Sequence, residues 1–278
     1  MKLALTTVLL LLAIPGYSVT VYVDINASGA NNGTSWADAY TDLQVALSNA
    51  FINDEIWVAT GVYKATTGTD RAISFVMKNG VNIYGGFDGT ETAISQRNIA
   101  ANPTTLSGDI GQLGDNTDNT RKIVRVLNFT APFIMDGFRI LSGYDASSSG
   151  RGAAMYIDNN NAGPLLTFRN LIIYNNYAHN YGGAVHIDES NVEFHDCEFL
   201  YNSAFSTGGA MYADNVSNSN IDLYDCKFIG NSANNGTIIR FDGPELVMER
   251  CLISNNSATG GSLLFIDNST VNFELNNS

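Results

Sequence analysis

The chain has 278 residues, and its 14 Lys and Arg stand against 27 Asp and Glu, a net charge of −13. That balance excludes a nucleic-acid partner, whose phosphates need a basic face, and it repels polyanionic sugars unless a divalent cation intervenes. Charged residues are only 15% and hydrophobic ones 45%, enough for a sizeable core in one elongated domain.

Residues 1–18 read as a secretory signal: Lys2, an apolar run from Leu3 to Ile14, then Gly16, Tyr17 and Ser18 with small residues at the positions before cleavage. The run is short for a membrane span, and no later stretch is long enough for one. The expectation is an exported chain, secreted or held at a cell surface, with one domain over 19–278.

Val19–Asp24 alternates as a strand. A Gly/Asn loop follows, and then residues 35–50 predict a helix, capped by Ser35, with Trp36, Tyr40, Leu43 and Leu47 on one face. Together the strand and helix are expected to cap an open sheet end over 19–53. Residues 54–150 predict irregular strands at Glu55–Ala59, Val62–Lys64, Ile73–Met77, Val81–Tyr84, Lys122–Leu127 and Phe133–Leu141. Between them, 96–119 reads as one long polar loop. Its Asp109, Asp115 and Asp118 are the metal candidates, weak ones, and Ca²⁺ is the only cofactor the sequence suggests.

From 151 the chain repeats itself. GAAMYID (152–158), GGAVHID (182–188), GGAMYAD (208–214), GTIIRFD (236–242) and GSLLFID (261–267) each precede a second short alternating run. The closing Asp falls at Asp158, Asp188, Asp214, Asp242 and Asp267, at steps of 30, 26, 28 and 25. A second landmark, Asn175, Asn202, Asn231 and Asn256, drifts with it. A fixed period of this size marks a solenoid. Units of short strands cannot bury an apolar side alone, so they stack, each strand pairing in parallel with its copies about 4.8 Å away. The fold class is all-β, a parallel β-helix. Since the fifth copy is cut short, a longer C-terminus is expected.

GGAV and GGAM, followed by FLYN (199–202) and FIGN (228–231), resemble the paired GGA[ILV] and FxxN repeats of polymorphic outer-membrane proteins. The likeness implies a right-handed, pectin-lyase-like β-helix at a cell surface. The stretch from Val21 to VNIYGGFDGTE (81–91) is similar to the N-terminal part of secreted bacterial β-helix proteins.

Four columns follow from the stacking. The Asp column is either a set of strand-end turns, each carboxylate accepting backbone N–H groups, or a functional row that binds calcium or supplies acid catalysts, with Asp188 and Asp214 as the conceivable pair. Two residues earlier, Tyr156, His186, Tyr212, Arg240 and Phe265 share its outward face; the rings either pack on one another or stack on a ligand. Together Tyr156, His186, Tyr212, Arg240, Asp158, Asp188, Asp214 and Asp242 form the candidate ligand-binding surface, for a glycan or a host or cell-surface protein. Cys197, Cys226 and Cys251, with Asn170 in the preceding coil, read as stacked buried thiols, and the Asn column reads as structural. The expected function is a monomeric adhesion or binding module. The alternative is a polysaccharide lyase or glycoside hydrolase on the Asp-lined face.

Overall fold

The computed structural model describes residues 18–158, 160, 163–214, 220–266 and 272–276. Its strands stack into parallel sheets that run the length of the chain. The first has nine strands, from Thr20–Val23 through Glu55–Ala59, Asn191–His195 and Asn220–Tyr224 to Asn272–Asn276. A second, of seven strands, runs from Gly61–Lys64 to Leu252–Ser254, and a third, also of seven, from Phe75–Val76 to Leu264–Ile266. Five two-residue strands, Tyr144–Asp145 to Ser257–Ala258, form a fourth. One circuit of the chain visits the first, second, short and third sheets in turn, so each repeat is one coil.

Alternation fills the interior. Val192 and Phe194 face in from the first sheet, Phe199 from the second, and Val185 and Ile187 from the third, all essentially unexposed. Phe168 stacks on Phe194 at 5.0 Å between ring centroids, and Phe199 on Phe228 at 4.8 Å. Identical partners in register make such ladders, each ring fitting the spacing between coils.

The sharp corner between the first and second sheets requires a left-handed residue. It is Asn170 in one coil and Asp196, Asp225 and Arg250 in the next three, all with φ between 50° and 55°. Asn170 is therefore aligned with Asp196 and not with the cysteines. Leu171 occupies the thiol position in that coil, and Cys197, Cys226 and Cys251 follow it as free thiols, the first two buried. The Asn column is also shifted by one in its first coil. Asn175 is the exposed left-handed residue there, and the buried ladder begins at Asn176. Asn176 N donates to Asn202 Oδ1 (3.1 Å), Asn202 N to Asn231 Oδ1 (3.0 Å) and Asn231 N to Asn256 Oδ1 (2.9 Å).

The N-terminal helix is shorter than its apolar face predicts. α1 spans Leu43–Asn49, capped by Asp42, whose side chain accepts from Gln44 N at 2.7 Å. Ser35 instead closes a turn with Asp38, giving its hydroxyl to that carboxylate and accepting Asp38 N. Trp36 leaves the helix face and packs with Tyr22 and Phe87 outside the coil. Leu43, Ala46 and Leu47 still cover the first coil's interior. The long polar loop carries a strand, Thr104–Ser107, paired with Gly61–Lys64 and Phe138–Leu141.

Candidate functional site

The GGA motif builds the face on which the candidate residues sit. Gly182 has φ 62°, and a Cβ on Gly183 would collide with the carbonyl oxygens of Gly209 and Ser203. The glycines let the chain pass tightly under the next coil and enter the third sheet in register. Tyr156 lies opposite His186, His186 opposite Tyr212, Tyr212 opposite Arg240, and Arg240 opposite Phe265. Two residues on, Asp188 lies opposite Asp214 and Asp214 opposite Asp242, with Asp158 at the same position one coil earlier. Asp267 lies outside the described residues.

The ring column is packed on itself. His186 stacks on Tyr156 at 5.2 Å and on Tyr212 at 5.4 Å, and the Arg240 guanidinium lies over the rings of Tyr212 (5.4 Å) and Phe265 (5.1 Å). Tyr181 closes over Tyr212 at 4.5 Å, with Arg151 5.1 Å above Tyr181. As a result His186 is 0% and Tyr212 6% exposed. A ligand cannot stack on rings whose faces are already covered, so of the two readings of this column the rings pack on one another. Both His186 ring nitrogens are buried with no hydrogen-bond partner. That burial, with the nearby charges of Arg151 and Lys122, pulls its pKa down to about 3.

The carboxylate ladder is the accessible part. Asp158, Asp188, Asp214 and Asp242 are all partly exposed. Tyr156 donates its hydroxyl to Asp158 Oδ2 at 3.0 Å. Partial burial, then the charges of Asp158, Asp214 and Glu189, push the Asp188 carboxyl up to about 6, and Arg151 opposes them. Burial also raises the phenols of Tyr156 and Tyr212 to about 12, helped by Asp158 and Asp214 respectively. Among the described residues no backbone N–H donates to the side chain of Asp188, Asp214 or Asp242, and the residues that follow Asp214 lie outside them.

The loop aspartates serve the backbone. Asp115 accepts Thr117 N (2.8 Å), Asp118 accepts Gln112 N (2.7 Å) and Asp109 accepts Gly114 N (3.1 Å). Among the described residues no group of three His, Cys, Asp or Glu side chains is placed to hold a metal.

The sequence reading missed the flanking column, Arg151–Tyr181–Thr207–Asn235, joined by single parallel bridges. The signal was present, because each of these residues stands just before the GGA position of its copy.

Among known proteins, the family described as the right handed beta helix region matches residues 135–278. No curated protein matches. A crystal structure of pectin methylesterase from Aspergillus niger is similar at 14% identity and a TM-score of 0.32, covering 95% of this chain and 86% of that one. The family match spans just over half of a chain whose coils pair in parallel throughout, so the chain belongs to the right-handed β-helix family.

Proposed function

We propose that this chain is an exported, surface-associated binding module that recognises a glycan along the carboxylate ladder of its third sheet. The observation that carries this reading is the ladder itself: in-register carboxylates, partly exposed, on one face of the third sheet. Sugar hydroxyls are the donors that such a row accepts, and charge-assisted hydrogen bonds are the stronger kind. The aromatic column behind the ladder is its rigid backing, fixing the aspartates one coil apart, about 4.8 Å. Export rests on the N-terminal apolar run, and surface display on the likeness of the GGA and FxxN repeats to polymorphic outer-membrane proteins. The binding surface is an extended row, which suits adhesion to a chain-like ligand.

A glycan array is the direct test. The wild type should hold a defined set of glycans, and Asp188→Asn with Asp214→Asn should weaken binding at least tenfold, as loss of two charge-assisted contacts implies. Undiminished binding by that double variant removes the ladder from the site.

One observation favours a second reading, a glycoside hydrolase. Asp188 holds its proton to about pH 6 between two other carboxyls, as a general acid needs, and coil spacing is near the separation used by retaining enzymes. Release of reducing ends, abolished in Asp188→Asn, would establish it; a panel with no release leaves the binding module.

A further inference from the structure

The charge of the third sheet changes sign along its length. Opposite Asp158 the preceding coil carries Leu127, and opposite Tyr156 it carries Arg125. The acidic ladder therefore ends where a basic cleft begins. This cleft, about 340 Å³, is lined by Ala72, Ser74, Arg121, Lys122, Arg125 and Tyr156. Three of the chain's 14 Lys and Arg line it, in a protein of net charge −13.

Its donors are largely uncommitted. Lys122 pairs with Asp145 at 2.9 Å and lies 5.6 Å from the Tyr156 ring centroid. Among the described residues neither Arg121 nor Arg125 has a carboxylate partner. The Nε of Arg125 and the hydroxyl of Ser74 are buried with no hydrogen-bond partner, and Ser74 is only 6% exposed. Unmatched buried donors are costly unless something accepts from them. Two guanidinium groups, an ammonium and a hydroxyl around one opening call for a group that is acceptor-only, negatively charged and has several oxygens.

We propose that this cleft binds an oxyanion substituent, sulfate or carboxylate, of a glycan whose hydroxyls lie along the adjoining carboxylate ladder. The inference rests on the reading of the third sheet as a glycan-binding face and specifies the glycan as acidic at one point. A uniform polyanion is disfavoured, because its next charges would meet Asp158 and Asp188.

Dextran, sparsely carboxymethylated dextran and sparsely sulfated dextran share a backbone and separate the two anions from the neutral sugar, while their isolated charges leave neutral sugars for the ladder. The wild type should bind at least one charged polymer tenfold or more tighter than dextran, with the preference shrinking as salt rises. Arg121→Ser with Arg125→Ser should abolish that preference. The exposed Arg121→Ser alone, which leaves the fold's interior untouched, should reduce it severalfold. Equal binding of all three polymers, absence of binding to either charged one, or a preference intact in both variants overturns the proposal. The ladder is scored separately: a charge preference that survives Asp188→Asn with Asp214→Asn leaves the cleft standing and removes the ladder.

Discussion

At His186 a neutral imidazole lies between two phenols with no partner for either nitrogen. The unfolded chain takes up a proton at this residue near pH 6.5, whereas the folded chain resists until about 3. Its contribution to stability is thus full above about 6.5 and declines as the pH falls, by about 2 kcal/mol near pH 5. His186→Phe keeps the stack and removes the penalty. Its thermal midpoint should exceed the wild type's by more at pH 5 than at pH 8. Asp188 works in the opposite sense. Its folded pKa is raised from 3.8 to about 6, so its stabilising share is complete below about 3.8 and disappears as the pH rises through 6. Asp188→Asn should raise the melting temperature at pH 7 and leave it nearly unchanged at pH 4. Equal shifts at both pH values would mean that ionisation of the half-buried carboxyl, disfavoured by burial and then by its acidic neighbours, is not the cause.

At the scale of single elements, the strands were readable because period-two alternation decides which side chains enter the coil. Val185 and Ile187 inside, with Asp188 outside, needed nothing more. Helix length was not readable, because an apolar spacing of 4, 3 and 4 looks the same whether the chain coils or folds into successive turns; the turn closed by Ser35 on Asp38 and the helix cap Asp42 decided it. Nor could spacing place Asn176 over Asn175, since both precede the short strand and only burial distinguishes them. Alternation placed the rings and the aspartates on one outward face, but it did not show that Tyr181, from the column just before each GGA position, closes over Tyr212. Asn202 shows what the correct ladder contributes: it accepts Asn176 N and donates to Ile173 O at 2.8 Å. Asn202→Ala leaves both groups buried and unmatched, a loss of about 2–4 kcal/mol measurable as a lower urea midpoint. Gly183→Ala should do worse, because the backbone above it cannot retreat without separating two coils.

For the whole molecule, what matters is that every strand's neighbour lies one coil away in sequence. A stack of this kind is open at its ends, and α1 with Thr20–Val23 covers one of them, the strand pairing with Glu55–Ala59. Deleting residues 18–53 should bare that sheet edge and the interior beneath Leu43 and Leu47. Light scattering should then show self-association in the shortened protein and none in the full chain. A monodisperse shortened protein would show that the second coil closes the stack unaided.

The amide spine is also directional. At each step an Asn oxygen receives a backbone hydrogen and an NH₂ hydrogen from the preceding coil, and the Asn sends one NH₂ hydrogen on to the next oxygen, Asn176 to Asn202 at 3.0 Å, Asn202 to Asn231 at 3.2 Å and Asn231 to Asn256 at 3.0 Å, while its other returns to a carbonyl, as from Asn202 to Ile173 O. Small dipoles aligned head to tail reinforce one another. The solenoid therefore has a chemical arrow along its axis, and a link removed anywhere in it weakens the polarisation of the links on either side.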